Sequence, residues 1–147
     1  MKRANNMQAA LDEVRNVYVD LAQRPIERNC ARKTECCHFK LTGRTPYLTK
    51  GEALIAAKAL RASGRKSLPE NATGACPMLH PDNGNCLIYE ARPFGCRTHF
   101  CAAAGGPFAR SAVVDLIRRL EDVDLALNGS GPRTLQNAVA DALEELR

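Results

Sequence analysis

All seven cysteines of this chain lie between positions 30 and 101, and that grouping limits the possible fold more than any other feature. They are Cys30, Cys36, Cys37, Cys76, Cys86, Cys96 and Cys101, with none in the first 29 residues or the last 46. The same stretch is poor in the materials of a core. Pro69, Pro77, Pro81, Pro93 and Pro107 forbid long helices across 67–107, and Asn83-Gly84 signals a turn. A connection of roughly forty residues without its own structure is long for a compact domain. Thiolates supply the missing restraint. A thiolate is a soft, charged ligand suited to zinc or an iron–sulfur cluster, and bonds to a shared cation can pin a loop with little to bury. An isolated cysteine is usually a small buried hydrophobe, but seven among prolines, glycines and polar residues lack the apolar surroundings for that role.

The flanks are helical by pattern. Met7, Leu11, Val14, Tyr18 and Leu21 recur at steps of four and three, which predicts an amphipathic helix over 5–23, closed by Pro25. Thr49-Lys50-Gly51-Glu52 has capping-box form and opens a helix that runs on through Ala53 to Ala62, with Gly64 placed to leave it in the left-handed conformation. A third helix is expected over 111–127, with Val113, Leu116, Ile117, Leu120, Val123 and Leu127 on one face. Asn128-Gly129-Ser130-Gly131 breaks it. Pro132 suits the first position of a last helix that buries Leu135, Ala138, Val139, Ala142 and Leu146, and the short link favours a C-terminal helical hairpin over 111–146. Cys86-Leu87-Ile88-Tyr89 fits either a short strand or one helical turn. The expected fold is mainly α, a single domain over 1–147 in which a scaffold of about four helices surrounds an irregular, metal-pinned cysteine-rich region at 30–101.

The two cysteine groups follow no common zinc-finger or ferredoxin spacing. Cys30-x5-Cys36-Cys37 is compact, and adjacent cysteines strain a single tetrahedral ion, so Cys36 and Cys37 point to different metals or only one ligates. Cys76, Cys86, Cys96 and Cys101 are spaced by ten, ten and five. His38, His80 and His99 neighbour the groups and offer nitrogen ligands or plain polar roles. Arg92 and Arg97 flank Cys96, where positive charge would offset several thiolates and hold their pKa down; an ordinary structural ion pair is the alternative.

These residues resemble the YkgJ-type cysteine-cluster family, described as zinc- or iron-chelating. Its opening is Cys-x2-Cys-x2-Cys-Cys, and here Cys30, Cys36 and Cys37 match the first, third and fourth cysteines while Lys33 stands at the second. Leu48-Thr49-Lys50-Gly51-Glu52 matches its helix start and Cys76-Pro77-Met78-Leu79 its next element. The stretch from Gly84 through Cys86-Leu87-Ile88-Tyr89 and Arg92-Pro93 to Cys96-Arg97 matches its last motif at every marked position. The resemblance covers roughly residues 30–101 and implies a metal-binding domain, without choosing zinc over iron. Lys33 in place of a cysteine puts the family's full stoichiometry in question, and Cys101 is a candidate replacement on count alone.

The function expected is a cysteine-cluster protein that holds zinc or an iron–sulfur centre in a structural, storage or redox role. Two alternatives accompany it. Some relatives of the family are associated with lysine methylation in flagellin, which suggests an accessory or partner of such a protein-modifying system. No Gly-rich nucleotide turn follows a strand, and no third group orients a Cys101–His99 pair, so the residues do not identify an enzyme. The other alternative is nucleic-acid binding. Residues 1–66 carry fourteen Lys/Arg against six Asp/Glu, and residues 67–147 seven against ten. Arg28, Arg32, Lys33, Lys40 and Arg44 form the basic group, but only Phe39 and Tyr47 offer stacking surfaces, which supports this reading weakly. No apolar run approaches the ~20 residues of a membrane span, and no apolar signal segment follows Met1-Lys2-Arg3. A cytoplasmic location with reduced thiols, a metal ion as ligand and a possible protein partner complete the expectation.

Overall fold

The computed structural model describes residues 2–24, 46–65, 67–68, 78, 86–98 and 110–146. Five helices lie among them: α1 (Lys2–Ala22), α2 (Lys50–Ala62), the short α3 (Phe94–Thr98), α4 (Val114–Ala126) and α5 (Leu135–Glu145). Two-residue strands β1 (Tyr47–Leu48) and β2 (Arg133–Thr134) form an antiparallel pair, Tyr47 opposite Thr134 and Leu48 opposite Arg133. The mainly helical scaffold expected from the sequence is present.

Helix α2 is the hub. Gly51, Ala53, Ala56 and Ala57 are small, and Gly51 through Ala57 are all buried. That allows α1, α4 and α5 to approach it together. A methyl group placed on Gly51 would stand 2.7 Å from Val14 Cγ2 of α1 and 2.8 Å from Val123 Cγ1 of α4, so three helices meet there at backbone distance. The buried apolar residues form one cluster, in which Leu11, Val14 and Leu21 of α1 meet Leu54 and Leu60 of α2, Leu116 and Leu120 of α4, and Leu135 and Val139 of α5. Around the edge, Arg119 of α4 bridges Glu13 and Asp20 of α1, with Nε 2.7 Å from Glu13 Oε1 and Nη1 2.5 Å from Asp20 Oδ2. Arg24 at the end of α1 donates to the Ala112 carbonyl at 2.8 Å and to both carboxylate oxygens of Asp115.

Two features depart from the expectation. The last two helices do not pair as a hairpin. The main partner of α4 is α1, and α5 lies chiefly on α2. A short link fixes proximity of helix ends only, whereas the small-residue face of α2 offers the better burial. Nor does Pro132 open the last helix. Arg133 and Thr134 are spent on the strand pair with β1, and α5 begins at Leu135, whose amide donates to the Pro46 carbonyl at 3.0 Å. The turn between α4 and α5 is held by Asp124, 4% exposed, whose carboxylate accepts from the amides of Lys50 at 2.8 Å and Gly131 at 2.9 Å. Gly131, at φ 91°, needs the conformation that glycine adopts most cheaply, and Gly64 at φ 94° closes α2 in the same way. Among the described residues, no helix is long and apolar enough to cross a membrane.

Candidate metal centre

Cys86 and Cys96 are the two cysteines within the described residues, and both are partly buried. Cys30, Cys36, Cys37, Cys76 and Cys101 lie outside them, as do His38, His80, His99, the Asn83-Gly84 turn and the basic residues Arg28, Arg32, Lys33, Lys40 and Arg44. Among the described residues, no three His, Cys, Asp or Glu side chains gather as a metal site.

The segment from Cys86 to Cys96 is shaped by its own motif residues. Cys86 occupies an isolated bridge position, and the Leu87 amide donates to the Met78 carbonyl at 2.8 Å. Met78 and Ile88 plug into the core at 1% and 3% exposure, which fixes the chain on both sides of that bond. Neither the strand nor the helical turn expected at Cys86–Tyr89 spans it: a turn follows Cys86, and a 3-10 turn occupies Tyr89–Ala91. Pro93, fully buried, then starts the short helix that carries Cys96, and its carbonyl accepts from the Cys96 and Arg97 amides at 3.0 and 3.2 Å.

The arginines act mainly as clamps. Arg97 donates from Nε to the Arg92 carbonyl and from a terminal nitrogen to the Glu90 carbonyl, each at 2.7 Å, folding the chain back over the start of α3. Arg92 donates to the Tyr89 carbonyl at 2.9 Å and lies over the Tyr89 ring, 4.0 Å from its centroid. Both spend guanidinium N–H groups on backbone carbonyls, a use of the planar fork that Lys cannot copy. Arg97 is nonetheless close enough to Cys96 for a thiolate there to act on it, so one side chain can both clamp the turn and offset that charge. Burial lowers the Arg97 pKa from its ordinary value, while the neighbouring Tyr18, Glu90 and Cys96 work in the opposite sense.

Glu52 ties this segment to the scaffold. It is 2% exposed at the start of α2. Its Oε2 accepts from the Thr49 amide at 2.8 Å and the Thr49 hydroxyl at 2.9 Å, completing the capping box, while Oε1 accepts from the Phe94 amide at 2.8 Å. One carboxylate therefore caps two helices, its own and the one bearing Cys96. Burial pushes the Glu52 carboxyl above its ordinary value of 4.5, while the hydrogen bonds from Thr49 and Phe94 and the Arg97 charge pull the other way. The Thr49–Glu52 box thus positions the cysteine helix as well as starting α2, a role that no local spacing discloses.

Tyr18 of α1 completes the surroundings. Its ring lies under the Arg97 guanidinium, 4.0 Å from the centroid. The side chain is 6% exposed, and its hydroxyl has no hydrogen-bond partner among the described residues. Burial, then Glu52, hold the phenol well above its ordinary 10.0; Arg97 lowers it and Cys96 raises it, so it is a neutral donor. A buried polar atom of this kind without a partner is uncommon in a folded protein.

No curated protein and no solved structure matches the chain. A family model does match, over residues 28–114, which takes in all seven cysteines and both helix-capping partners of Glu52. With more than half of its length covered by that model, the protein belongs to the CxxCxxCC family, described as "Putative zinc- or iron-chelating domain".

Proposed function

We propose that this chain binds zinc or an iron–sulfur centre through thiolates drawn from Cys30, Cys36, Cys37, Cys76, Cys86, Cys96 and Cys101, in a structural, storage or redox role in the cytoplasm. The observation that carries the reading is the double anchoring of the Cys96 helix. Glu52 holds its first amide, and Arg97 grips the two carbonyls before it. A ligand presented this rigidly loses little freedom when it meets a cation. The donor set suits the group, because thiolates favour zinc and iron–sulfur clusters over hard cations. Bound zinc closed by four thiolates would order the loops, and an iron–sulfur cluster would add one-electron chemistry.

Elemental analysis of protein purified anaerobically, without an immobilised-metal resin, tests the proposal. Stoichiometric zinc in a colourless protein, or iron with acid-labile sulfide in a brown one, is the expected result. Protein that is fully folded and holds neither metal would end it. Cys96→Ser should lower the metal-to-protein ratio and loosen the segment from Cys76 to Cys101 while α4 and α5 persist. An unchanged ratio would remove Cys96 from the ligand set.

A further inference from the structure

We infer that α1, which lies outside the family match, helps to present a metal ligand: the Tyr18 ring is the platform on which Arg97 rests while it holds the Cys96 helix in place, which makes Tyr18 a positioning residue of the metal centre. The inference rests on the metal-binding reading above and extends it to a helix that the matched residues 28–114 do not include.

Arg97 is held on two surfaces. Guanidinium N–H groups point outward in the plane of the fork, which leaves the flat face for an aromatic ring. Here Nε and a terminal nitrogen donate at 2.7 Å each, to the Arg92 and Glu90 carbonyls, while the guanidinium carbon lies over the Tyr18 ring, 4.0 Å from its centroid. Those carbonyls belong to the turn that leads into α3, and Cys96 directly precedes Arg97 in that helix. An arginine side chain has many rotamers, and keeping one of them against water needs a further contact. The ring supplies it. The platform is itself fixed, because Tyr18 is 6% exposed in the core stripe of α1. Glu13 and Asp20, on either side of it in the helix, are both held by Arg119 of α4. The Tyr18 hydroxyl makes no hydrogen bond among the described residues, so the ring face is what Tyr18 offers Arg97.

Zinc affinity by chelator competition, with amide exchange of the metal-free protein, tests the inference. Tyr18→Phe keeps the ring and should bind zinc like the parent. Tyr18→Leu removes the ring and should bind zinc about 3–30-fold more weakly, the range for losing one partly buried cation–π contact. Its metal-free amides at Cys96 and Arg97 should exchange faster, with α5 unchanged. Leu11→Ala, at a fully buried position of the same helix, lowers stability by loss of packing and should leave zinc affinity at the parent's level. In an Arg97→Gln background, Tyr18→Leu should cost no further affinity, because the fork that the ring supports is gone. Far-UV circular dichroism verifies the fold, and Tyr18→Met serves in place of Tyr18→Leu if the latter does not fold. In a parent that carries an iron–sulfur centre, the same comparisons read the rate of cluster loss to a chelator. Parent-like affinity in Tyr18→Leu would overturn the inference and leave the proposed function standing. An equal loss in Leu11→Ala, or a loss that Arg97→Gln does not diminish, would also overturn it, by assigning Tyr18 to packing. A loss in Tyr18→Phe as large as in Tyr18→Leu would do the same, by assigning the effect to the hydroxyl. If the parent itself takes up neither zinc, cobalt nor iron, both readings fall together.

Discussion

Glu52 and Phe94 are 42 positions apart, yet the Phe94 amide donates to Glu52 Oε1 at 2.8 Å. The bond joins the first turn of the hub helix to the first residue of the helix carrying Cys96. Glu52→Gln tests what it is worth. The replacement has one acceptor oxygen in place of two and turns an NH2 group toward a donor. A buried unsatisfied donor costs about 1–3 kcal/mol, and urea unfolding of the metal-free protein should show a loss of that size. Amide exchange should quicken at Phe94–Thr98 more than in α4. Uniform change across both helices would mean that Glu52 serves only α2.

The same carboxyl makes stability depend on pH. Its folded pKa is raised above the ordinary 4.5, with burial as the main cause. The folded chain therefore holds this proton more tightly than the unfolded chain. The favourable contribution is complete below about pH 4.5 and is lost as pH rises through the folded value. Measured on metal-free protein, the stability of the parent minus that of Glu52→Gln should fall as pH increases across this window. A difference that stays level or rises would contradict the burial argument.

The long-range role of Glu52 marks where the sequence stops being informative. The stripe Leu11, Val14, Tyr18, Leu21 and the Thr49–Glu52 box are patterns of three and four residues, so α1 and α2 are legible from spacing alone. The second bond of Glu52 depends on the packing of distant segments and leaves no periodic trace. The strand pair is invisible for another reason: two residues per strand are too few to show an alternation. Tyr18 is legible as a core residue, since its ring fits the stripe, but its place beneath Arg97 shows only in the fold. Arg97 is legible as charge beside a thiolate, and its grip on two carbonyls appears only once the turn is folded.

Gly51 should resist enlargement. Alanine there gains helix propensity of about 1 kcal/mol, but its methyl would press on Val14 and Val123 at under 3 Å. Overpacking of this kind costs ~1–3 kcal/mol, so Gly51→Ala should be destabilising or, at best, neutral. Val14→Ala vacates one of the two contacts. The double variant should then be more stable than the sum of the single changes allows, with a positive coupling in a double-mutant cycle. Strict additivity would mean that the helices simply separate.

Asp124 should be indispensable to the turn before α5. Its carboxylate holds the amides of Lys50 and Gly131, and its carbonyl accepts from Gly129 at 2.7 Å. Asp124→Ala strands the part-buried Lys50 amide and removes negative charge from the start of α2, at a cost of about 1 kcal/mol. Gly129→Ala would put a methyl 2.3 Å from Asp124 Oδ1 and should weaken the same turn by displacing the carboxylate. Combined, the two changes should cost less than their sum, because both break one arrangement.

Arg97→Lys separates charge from shape beside Cys96. Lysine keeps the positive charge that offsets thiolates, but cannot span the Glu90 and Arg92 carbonyls together while covering the Tyr18 ring. If electrostatic compensation alone mattered, the variant would load metal like the parent. With the fork as the working part, metal occupancy should fall and amide exchange should quicken across Cys86–Thr98, although net charge is unchanged. Arg97→Gln then loses both contributions and should load less metal than Arg97→Lys. The gap between the two variants measures the charge, and the gap between parent and Arg97→Lys measures the clamp. A parent-like Arg97→Lys beside a defective Arg97→Gln would reverse this assignment and make thiolate compensation the dominant role of the residue.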